Sequence, residues 1–409
     1  MSTGPAGTGV PQGDLTVHNA LIFNGRDADL TEGSLRIVDG RIAEIGPRVG
    51  DSARELDARG RVVMPGLLDA HFHAYGISLH NLEFEAGPLS YLALVGAQRL
   101  ERALRRGFTT VRDVAGGDIG LARAIDEGRV LAPRYFYTGP ALSQTGGHGD
   151  ARPPELDICL HGGHMNEVVD GVEPLRTAVR ERLRQGAHAI KIMTSGGVVS
   201  PADPLAPAQY SAEEVAAVVD EARRRGSYVA AHAYSPEAIE HSVRNGVRSI
   251  EHGNLLDDAT AALMAGRDTY LIPTLIAYDA MSRRGGDIGL PAAAAAKNRE
   301  VLDAGRVAVE RAHAAGVPVG FGTDLMGPLE DDQLLGLRLQ VEAFGVLACL
   351  RSATSVNARV LGRADDLGTI AVGARGDLLM LTGNPFDDPS VLWDARRERT
   401  VVRAGVPVE

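Results

Sequence analysis

The sequence predicts an α/β protein whose main part is a (β/α)8 TIM barrel, joined to a small discontinuous β-sandwich domain formed by the N- and C-terminal segments. Two observations support this prediction. Strand-like segments alternate with helical patterns eight times across residues 66–364, and short strands with turns flank that region on both sides. No glycine-rich dinucleotide motif follows an early strand, which disfavours a doubly wound sheet.

The barrel region supplies eight candidate strands. Two of the helical patterns between them, residues 90–107 and 211–226, end in an arginine-rich turn followed by glycine, a combination typical of helix C-termini. The predicted strands are Gly66–Phe72, Thr109–Val114, Arg134–Thr138, Ala189–Met193, Tyr228–Ala233, Ser249–His252, Tyr270–Thr274 and Val319–Thr323.

The flanking segments have a different pattern. Residues 14–65 alternate apolar and polar side chains, and a similar pattern returns across residues 365–409. We expect these two segments to pair into the accessory domain, and residues 66–364 to form the catalytic barrel. Residues 1–13 contain no Lys, no Arg and no apolar run, so they are expected to be a disordered tail rather than a signal peptide.

Composition excludes several classes of partner. The chain has 42 Lys and Arg residues against 53 Asp and Glu residues, a net charge of −11. That balance argues against a nucleic-acid partner and does not favour an anionic membrane surface. No stretch is apolar for long enough to cross a bilayer. The two cysteines, Cys159 and Cys349, form no CxxC motif, so a reducing, cytoplasmic location is expected.

Two histidines mark the first barrel strand. His71 and His73 are two residues apart at its end, and this spacing places both side chains on one face of a strand. Active sites of barrels lie at the C-terminal ends of their strands. Because the HxH motif is short, two hydrogen-bonded polar residues would explain it better if it stood alone. The evidence for a metal site therefore depends on the residues at the other strand ends.

Four further residues lie on other predicted barrel strands. Lys191 lies in the apolar fourth strand, where an unpaired ammonium group is costly. His232, His252 and Asp324 lie at the ends of the fifth, sixth and eighth strands. Each of these has an ordinary structural explanation, such as a hydrogen-bonded strand end or a helix cap. With the HxH pair they place six ligand-type side chains at one rim, which predicts a metal centre.

These residues resemble the metal ligands of the amidohydrolase superfamily in its binuclear form with a carboxylated lysine. The residues that carry the resemblance are His71 and His73 in PGLLDAHFH, Lys191, His232, His252 in EHGN, and Asp324 in GTD, and the tail from Gly368 to Phe386 resembles the superfamily's C-terminal β segment.

The resemblance implies two divalent cations, most simply zinc. One would take His71, His73, Asp324 and a CO2-derived carbamate on Lys191. The other would take that carbamate with His232 and His252. It also implies cleavage of an amide-type C–N bond by a metal-bridging hydroxide, with Asp324 as general base and acid.

A narrower resemblance covers residues 143–150, 190–201 and 231–253. These segments are similar to the imidazolonepropionase-related branch, which includes Xaa-Pro dipeptidases and hydrolases of N-acyl amino acids. The similarity implies that His148 and Tyr234 bind substrate, with loop ordering by His148 and core packing of Tyr234 as the alternatives. The long segment 139–173 and the stretch 195–210 are expected to form much of the pocket. Within the first of these segments, Arg152 is a candidate partner for a substrate carboxylate, with an ordinary surface role as the alternative.

Several other functions stay open on the sequence. A lactonase or a carbamate or urea hydrolase would use the same metals. A mononuclear deaminase is disfavoured by Lys191 and by the absence of an HxxE motif after the fifth strand. A non-catalytic, metal-stabilised binding protein is disfavoured by the complete ligand set. The expected partner is a small-molecule substrate, and a homo-oligomer is left open because related enzymes are often oligomers.

Overall fold

The computed structural model describes residues 12–153, 155, 163–200 and 203–409. Most of the predicted tail therefore lies outside the described residues, as does Cys159. At the end of that tail, Gly13 donates a backbone hydrogen bond of 3.0 Å to Ala404 O, so this glycine is tied to the C-terminal segment.

Strands and helices alternate through most of the described chain. The strands are β1 (Leu15–Ile22), β2 (Thr31–Val38), β3 (Arg41–Gly46), β4 (Glu55–Asp57), β5 (Val62–Pro65), β6 (Leu67–Phe72), β7 (Phe108–Asp113), β8 (Arg134–Tyr137), β9 (Ala141–Ser143), β10 (Asn166–Val168), β11 (Ile190–Met193), β12 (Val229–Ala233), β13 (Ser249–His252), β14 (Tyr270–Ile272), β15 (Leu378–Leu381), β16 (Arg399–Arg403) and β17 (Val406–Pro407). The α-helices are α1 (Asn81–Glu85), α2 (Leu89–Arg105), α3 (Ile119–Asp126), α4 (Val172–Arg184), α5 (Ala212–Arg224), α6 (Pro236–Arg244), α7 (Asp258–Ala265), α8 (Leu275–Arg284), α9 (Ala292–Ala314), α10 (Leu335–Phe344), α11 (Val346–Arg351) and α12 (Asn357–Val360). Short 3₁₀ turns lie at Gly327–Asp332 and Pro389–Leu392, and a π-helical turn lies at Ser352–Val356.

Two sheets are parallel. One has the order β6-β7-β8, and the other has the order β10-β9-β11-β12-β13-β14. The predicted α/β class with parallel sheets is therefore confirmed. Seven of the eight predicted strands coincide with β6, β7, β8, β11, β12, β13 and β14, with ends displaced by at most two residues.

The prediction of a regular eighth strand at residues 319–323 was wrong. Val319 forms an isolated parallel bridge to Leu271, and Ala70 N donates to Phe321 O at 2.9 Å, so the segment still lies between β14 and β6. The side chain of Asn357 accepts from Phe321 N and donates to Phe321 O at 2.7 Å. Because the Asn357 side chain bonds both the N–H and the C=O of Phe321, a continuous ladder of strand-to-strand hydrogen bonds does not form at this residue.

The two ends of the chain share a third, mixed sheet. Its order is β17-β16-β15-β5-β1-β2-β3, with β4 paired to β1. The junction is the antiparallel pair of β15 with β5, which joins residues 378–381 to residues 62–65. Buried apolar residues from both ends, including Leu15, Val17, Leu35 and Leu378, pack in one core, which explains why the two segments associate.

Helix α5 shows how local sequence sets these elements. Ser211 accepts a hydrogen bond from Glu214 N, and the Glu214 side chain bonds back to Ser211 N, which forms the capping box that starts the helix. The helix ends after an arginine pair, before Gly226, as its pattern predicts. Among the described residues, no helix combines the length and the apolar character needed to span a bilayer.

Candidate metal centre and active site

The HxH pair and Asp324 meet at the end of β6. Asp324 Oδ1 lies 2.9 Å from His73 Nε2 and 3.5 Å from His71 Nε2. One possible ligand atom from each of these three residues lies within 4.8 Å of the others. The arrangement is a buried N,N,O cluster of the kind that a divalent cation prefers.

The other three predicted ligands line the same cavity. Lys191 lies on β11, His232 on β12 and His252 at the end of β13, and all three side chains are buried. The ring centroids of His71 and His252 are 4.9 Å apart, and those of His232 and His252 are 4.6 Å apart. One cavity is lined by all six predicted residues.

Each of the four imidazoles has one ring nitrogen in contact with a protein acceptor. The contacts are His71 Nδ1 with Glu251 Oε2 at 2.8 Å, His73 Nδ1 with Ala115 O at 3.3 Å, His232 Nε2 with Gly196 O at 2.9 Å, and His252 Nδ1 with Thr274 Oγ1 at 2.8 Å. A neutral imidazole that donates through one nitrogen keeps the other unprotonated, which is the form that binds a metal. The donor set therefore fits divalent cations.

Burial sets the protonation of these groups. Desolvation lowers the pKa of His71, His232 and His252 well below the ordinary value of 6.5, so the three rings are neutral at pH 7. Desolvation also lowers the pKa of Lys191 to about 8. Burial acts to raise the pKa of Asp324, but His71 and His73 outweigh it and lower the pKa overall, so this carboxylate is ionised.

Sequence reasoning missed Glu251, which orients His71. Glu251 is fully buried next to His252, and its carboxylate accepts from Arg112 Nη2 at 2.7 and 2.9 Å and from Ser249 Oγ at 2.6 Å. The sequence did contain a sign of this contact. Glu251 on β13 and Arg112 on β7 are charged residues inside buried strands, and buried charges are tolerated only when they are paired.

Asp69 was also missed, although it stands two residues before His71. Its carboxylate accepts from His71 N at 3.1 Å, from Thr323 N at 3.1 Å and from Thr323 Oγ1 at 2.5 Å. Burial raises the pKa of Asp69 to about 6. Asp69 thereby fastens the segment that carries the HxH pair to the residue that precedes Asp324.

Two of the three predicted substrate-binding residues line the cavity. The His148 ring stacks on His232 with centroids 4.2 Å apart, and its buried Nδ1 has no hydrogen-bond partner within the described part of the chain. Tyr234 is buried, and its hydroxyl lies 2.8 Å from the hydroxyl of Tyr278. Arg152 instead forms an ion pair with Asp150 at 2.6 Å and is not among the described residues that line the cavity.

Most of the cavity wall is apolar. Parts of the two segments expected to form the pocket, 139–173 and 195–210, contribute to it. Lys297 holds the second of these segments by donating to the carbonyls of Gly197, Ser200 and Asp203. The apolar lining residues are Leu79, Phe84, Ala115, Met165, Met193, Val198, Val199, Ala277, Met281, Met326 and Leu329.

Comparison with known proteins gives consistent matches over nearly the whole chain. The amidohydrolase family matches residues 62–408. Ochratoxinase from Aspergillus niger is 32% identical over 95% of this chain and 85% of its own length. A solved prolidase complexed with N-methylphosphonate-L-proline is 42% identical, with a TM-score of 0.93 over 97% of this chain and 99% of that one. A solved Xaa-Pro dipeptidase with bound methionine in the active site is 30% identical, with a TM-score of 0.85 over 97% of this chain and 100% of that one.

Proposed function

The chain belongs to the amidohydrolase family, and from this premise we propose that it is a binuclear metal-dependent hydrolase of an amide-type C–N bond. The family and the Xaa-Pro dipeptidase-like branch predicted from the motifs are confirmed, and the chain is a hydrolase. One observation carries the proposal: four imidazoles, each with one nitrogen held by a protein acceptor, line a single buried cavity with Lys191 and Asp324.

The ligand set divides between two cations. We assign His71, His73, Asp324 and carboxylated Lys191 to one cation, and assign His232 and His252, with the same lysine, to the other. Zinc suits a set of imidazole and carboxylate ligands. When bound, such ions lower the pKa of a coordinated water and polarise a carbonyl oxygen.

Burial of Lys191 supports its carboxylation. A pKa of about 8 makes the neutral amine far more abundant at pH 7 than in an exposed lysine. The neutral amine adds to CO2: an N–C bond forms, one N–H proton leaves, and an anionic carboxylate results. This change removes a buried cation and supplies the bridging ligand. In protein loaded with zinc and ¹³C-bicarbonate, a carbamate ¹³C signal should be present, and it should be missing in Lys191→Ala.

Asp324 is placed to move the proton in this reaction. Its side chain is 19% exposed to the cavity, whereas the neighbouring imidazoles are almost fully buried. An ionised carboxylate at this position accepts a proton from the attacking water. It then returns the proton to the departing nitrogen, so that the leaving group departs as a neutral amine.

We propose that the two parallel sheets close into one (β/α)8 barrel made of residues 66–364. Backbone hydrogen bonds support closure at both places where the two sheets meet. His188 N, just before β11, donates to Tyr137 O of β8 at 2.9 Å, and Leu271 N of β14 donates to Pro318 O, just before the segment 319–323, at 3.1 Å. The mixed sheet would then be the accessory domain, made of residues 14–65 and 365–409.

The proposed substrates are Xaa-Pro dipeptides and N-acyl amino acids. An apolar wall suits a bulky apolar group on the acyl side of the scissile bond, since its burial is favourable by about 25 cal/mol per Å². The His148 ring lines the cavity and is the proposed contact for a polar end of the substrate. The prolidase and the ochratoxinase that resemble this chain are named for hydrolysis of such compounds.

The decisive experiment combines metal analysis with a substrate screen. Purified protein should contain about two zinc equivalents per chain. It should hydrolyse Xaa-Pro dipeptides or N-acyl amino acids, lose turnover after chelation and regain it with zinc. Full turnover in metal-free protein would contradict the proposal, as would hydrolysis confined to lactones, carbamates or ureas. A chelator that lowers thermal stability while no substrate is ever turned over would favour a metal-stabilised binding protein.

A further inference from the structure

Tyr278 stands at the junction between a predicted metal ligand and a predicted substrate-binding residue. It lies on α8, is 1% exposed and lines the cavity. Its hydroxyl oxygen lies 2.8 Å from His252 Nδ1 and 2.8 Å from the Tyr234 hydroxyl, and Thr274 Oγ1 is 3.4 Å away. No feature of the sequence had singled out this tyrosine.

The protein holds Tyr278 firmly. Thr274, at the N-terminal end of α8, has a φ of 46°, a left-handed conformation that is rare for a β-branched residue. This conformation places Thr274 Oγ1 at 2.8 Å from His252 Nδ1. On the next helix, Asn298 Nδ2 donates to Tyr278 O at 3.0 Å. The cluster is therefore built from several elements that are fixed independently.

The number of available protons determines which group donates in each hydrogen bond among His252, Tyr278 and Tyr234. If His252 binds a cation through Nε2, its one N–H is on Nδ1 and is donated to the oxygens of Thr274 and Tyr278. Thr274 Oγ1 donates to the Tyr278 oxygen at 3.4 Å, so the Tyr278 O–H is left to donate to the Tyr234 hydroxyl at 2.8 Å. Because Tyr234 accepts this bond, its own O–H is left to donate elsewhere.

The reverse direction conflicts with metal binding. If Tyr234 donated to Tyr278 and Tyr278 donated to His252 Nδ1, the neutral imidazole would have to carry its proton on Nε2 and could not coordinate through that nitrogen. Within the described residues, the Tyr234 hydroxyl makes no hydrogen bond except the one to Tyr278. Its remaining hydrogen therefore has only the cavity to point into.

We propose that Tyr278 is a positioning residue that fixes the tautomer of His252 and sets Tyr234 as a hydrogen-bond donor to a carbonyl or carboxylate oxygen of the substrate. The inference rests on the proposed function, because the direction of the chain follows from the ligand role of His252. A tyrosine hydroxyl ordinarily ionises only near pH 10, so both hydroxyls are able to donate at neutral pH.

A double-mutant cycle tests the coupling. Tyr278→Phe and Tyr234→Phe should each lower kcat/KM for a Xaa-Pro dipeptide by about tenfold, the effect of one lost hydrogen bond. The double variant should be no worse than Tyr234→Phe, since Tyr278 acts through Tyr234. Losses that multiply to about 100-fold would overturn the proposal. Tyr91→Phe, on an exposed tyrosine of α2, is the matched control, and equal zinc content in all variants separates this effect from loss of metal.

A second measurement needs neither metal nor turnover. In metal-free protein labelled with ¹⁵N-histidine, the His252 signal, assigned by its absence in His252→Gln, should show the tautomer with hydrogen on Nδ1. Hydrogen on Nε2 would overturn the proposal even if amide hydrolysis is confirmed. If no amide substrate is found, the tautomer of His252 still tests the positioning role of Tyr278. Failure of this inference can therefore be distinguished from failure of the proposed function.

Discussion

His71 Nδ1 lies 2.8 Å from Glu251 Oε2, although 180 positions separate the two residues in the chain. Both side chains are buried, and the same carboxylate accepts two hydrogen bonds from Arg112. The carboxylate therefore fixes the ring of His71 with Nε2 towards Asp324, while the guanidinium compensates its buried charge.

Glu251→Gln should weaken zinc binding by about 10–100-fold, because the amide orients His71 less strongly and leaves Arg112 without its counter-ion. Competition with a chromophoric zinc chelator measures this affinity. The matched control is Glu300→Gln on an exposed glutamate of α9. Wild-type affinity in Glu251→Gln would mean that the contact with His71 is only structural.

Asp324→Asn should retain metal and lose turnover by about 10²–10⁴-fold, the usual effect of removing a general acid–base group. The amide keeps an oxygen near His71 and His73 but cannot carry the proton. Metal analysis and steady-state kinetics on the same preparation separate the two effects. Asp303→Asn, on an exposed residue of α9, should behave as wild type. Full activity in Asp324→Asn would remove this residue from the proton transfer.

The positions of the candidate ligands were easier to predict from the sequence than the contacts that orient their side chains. His71, Lys191 and His252 stand at or near strand ends, and the two-residue period of a strand fixes which side chains face the same way. Contacts such as Glu251 with His71, or Tyr278 with His252, depend on how distant strands and helices pack, and a single sequence carries no direct sign of that packing.

The eighth predicted strand illustrates the same limit. The segment 319–323 has the composition of a strand, but a side chain more than thirty residues later, Asn357, bonds its backbone and interrupts the ladder. A polar side chain that the strand pattern did not include therefore engages the predicted group.

Gly197→Ala should raise KM by displacing His148. A Cβ at this position would lie 2.0 Å from His148 Nδ1, so the ring that stacks on His232 has to move. A displacement of about 1 Å in a substrate-contacting group can cost up to 10²-fold in kcat/KM. Gly286→Ala is the matched control, because a Cβ there meets nothing within 4 Å. Unchanged kinetics in both variants would mean that His148 does not contact the substrate.

Glu85 should make stability depend on pH. This residue of α1 is 5% exposed and accepts from Met165 N and Asn166 Nδ2, so it joins two parts of the cavity wall. Desolvation raises its pKa from 4.5 to about 7. Between these values the unfolded chain loses the proton while the folded protein keeps it, so the contribution of Glu85 to stability is complete below pH 4.5 and is lost as the pH rises through about 7.

Glu85→Gln lacks this titration and isolates its effect. Wild type should exceed Glu85→Gln in free energy of unfolding by a larger margin at pH 5 than at pH 8, and the margin should shrink by up to roughly 3 kcal/mol. Urea unfolding of the metal-free proteins at the two pH values measures the margin, and other titrating groups cancel because they are common to both chains. Glu83→Gln, on an exposed glutamate of the same helix, is the control. A margin that stays constant or grows with pH would show that Glu85 is ionised in the folded protein, held by the amides of residues 164–166 rather than neutralised by burial.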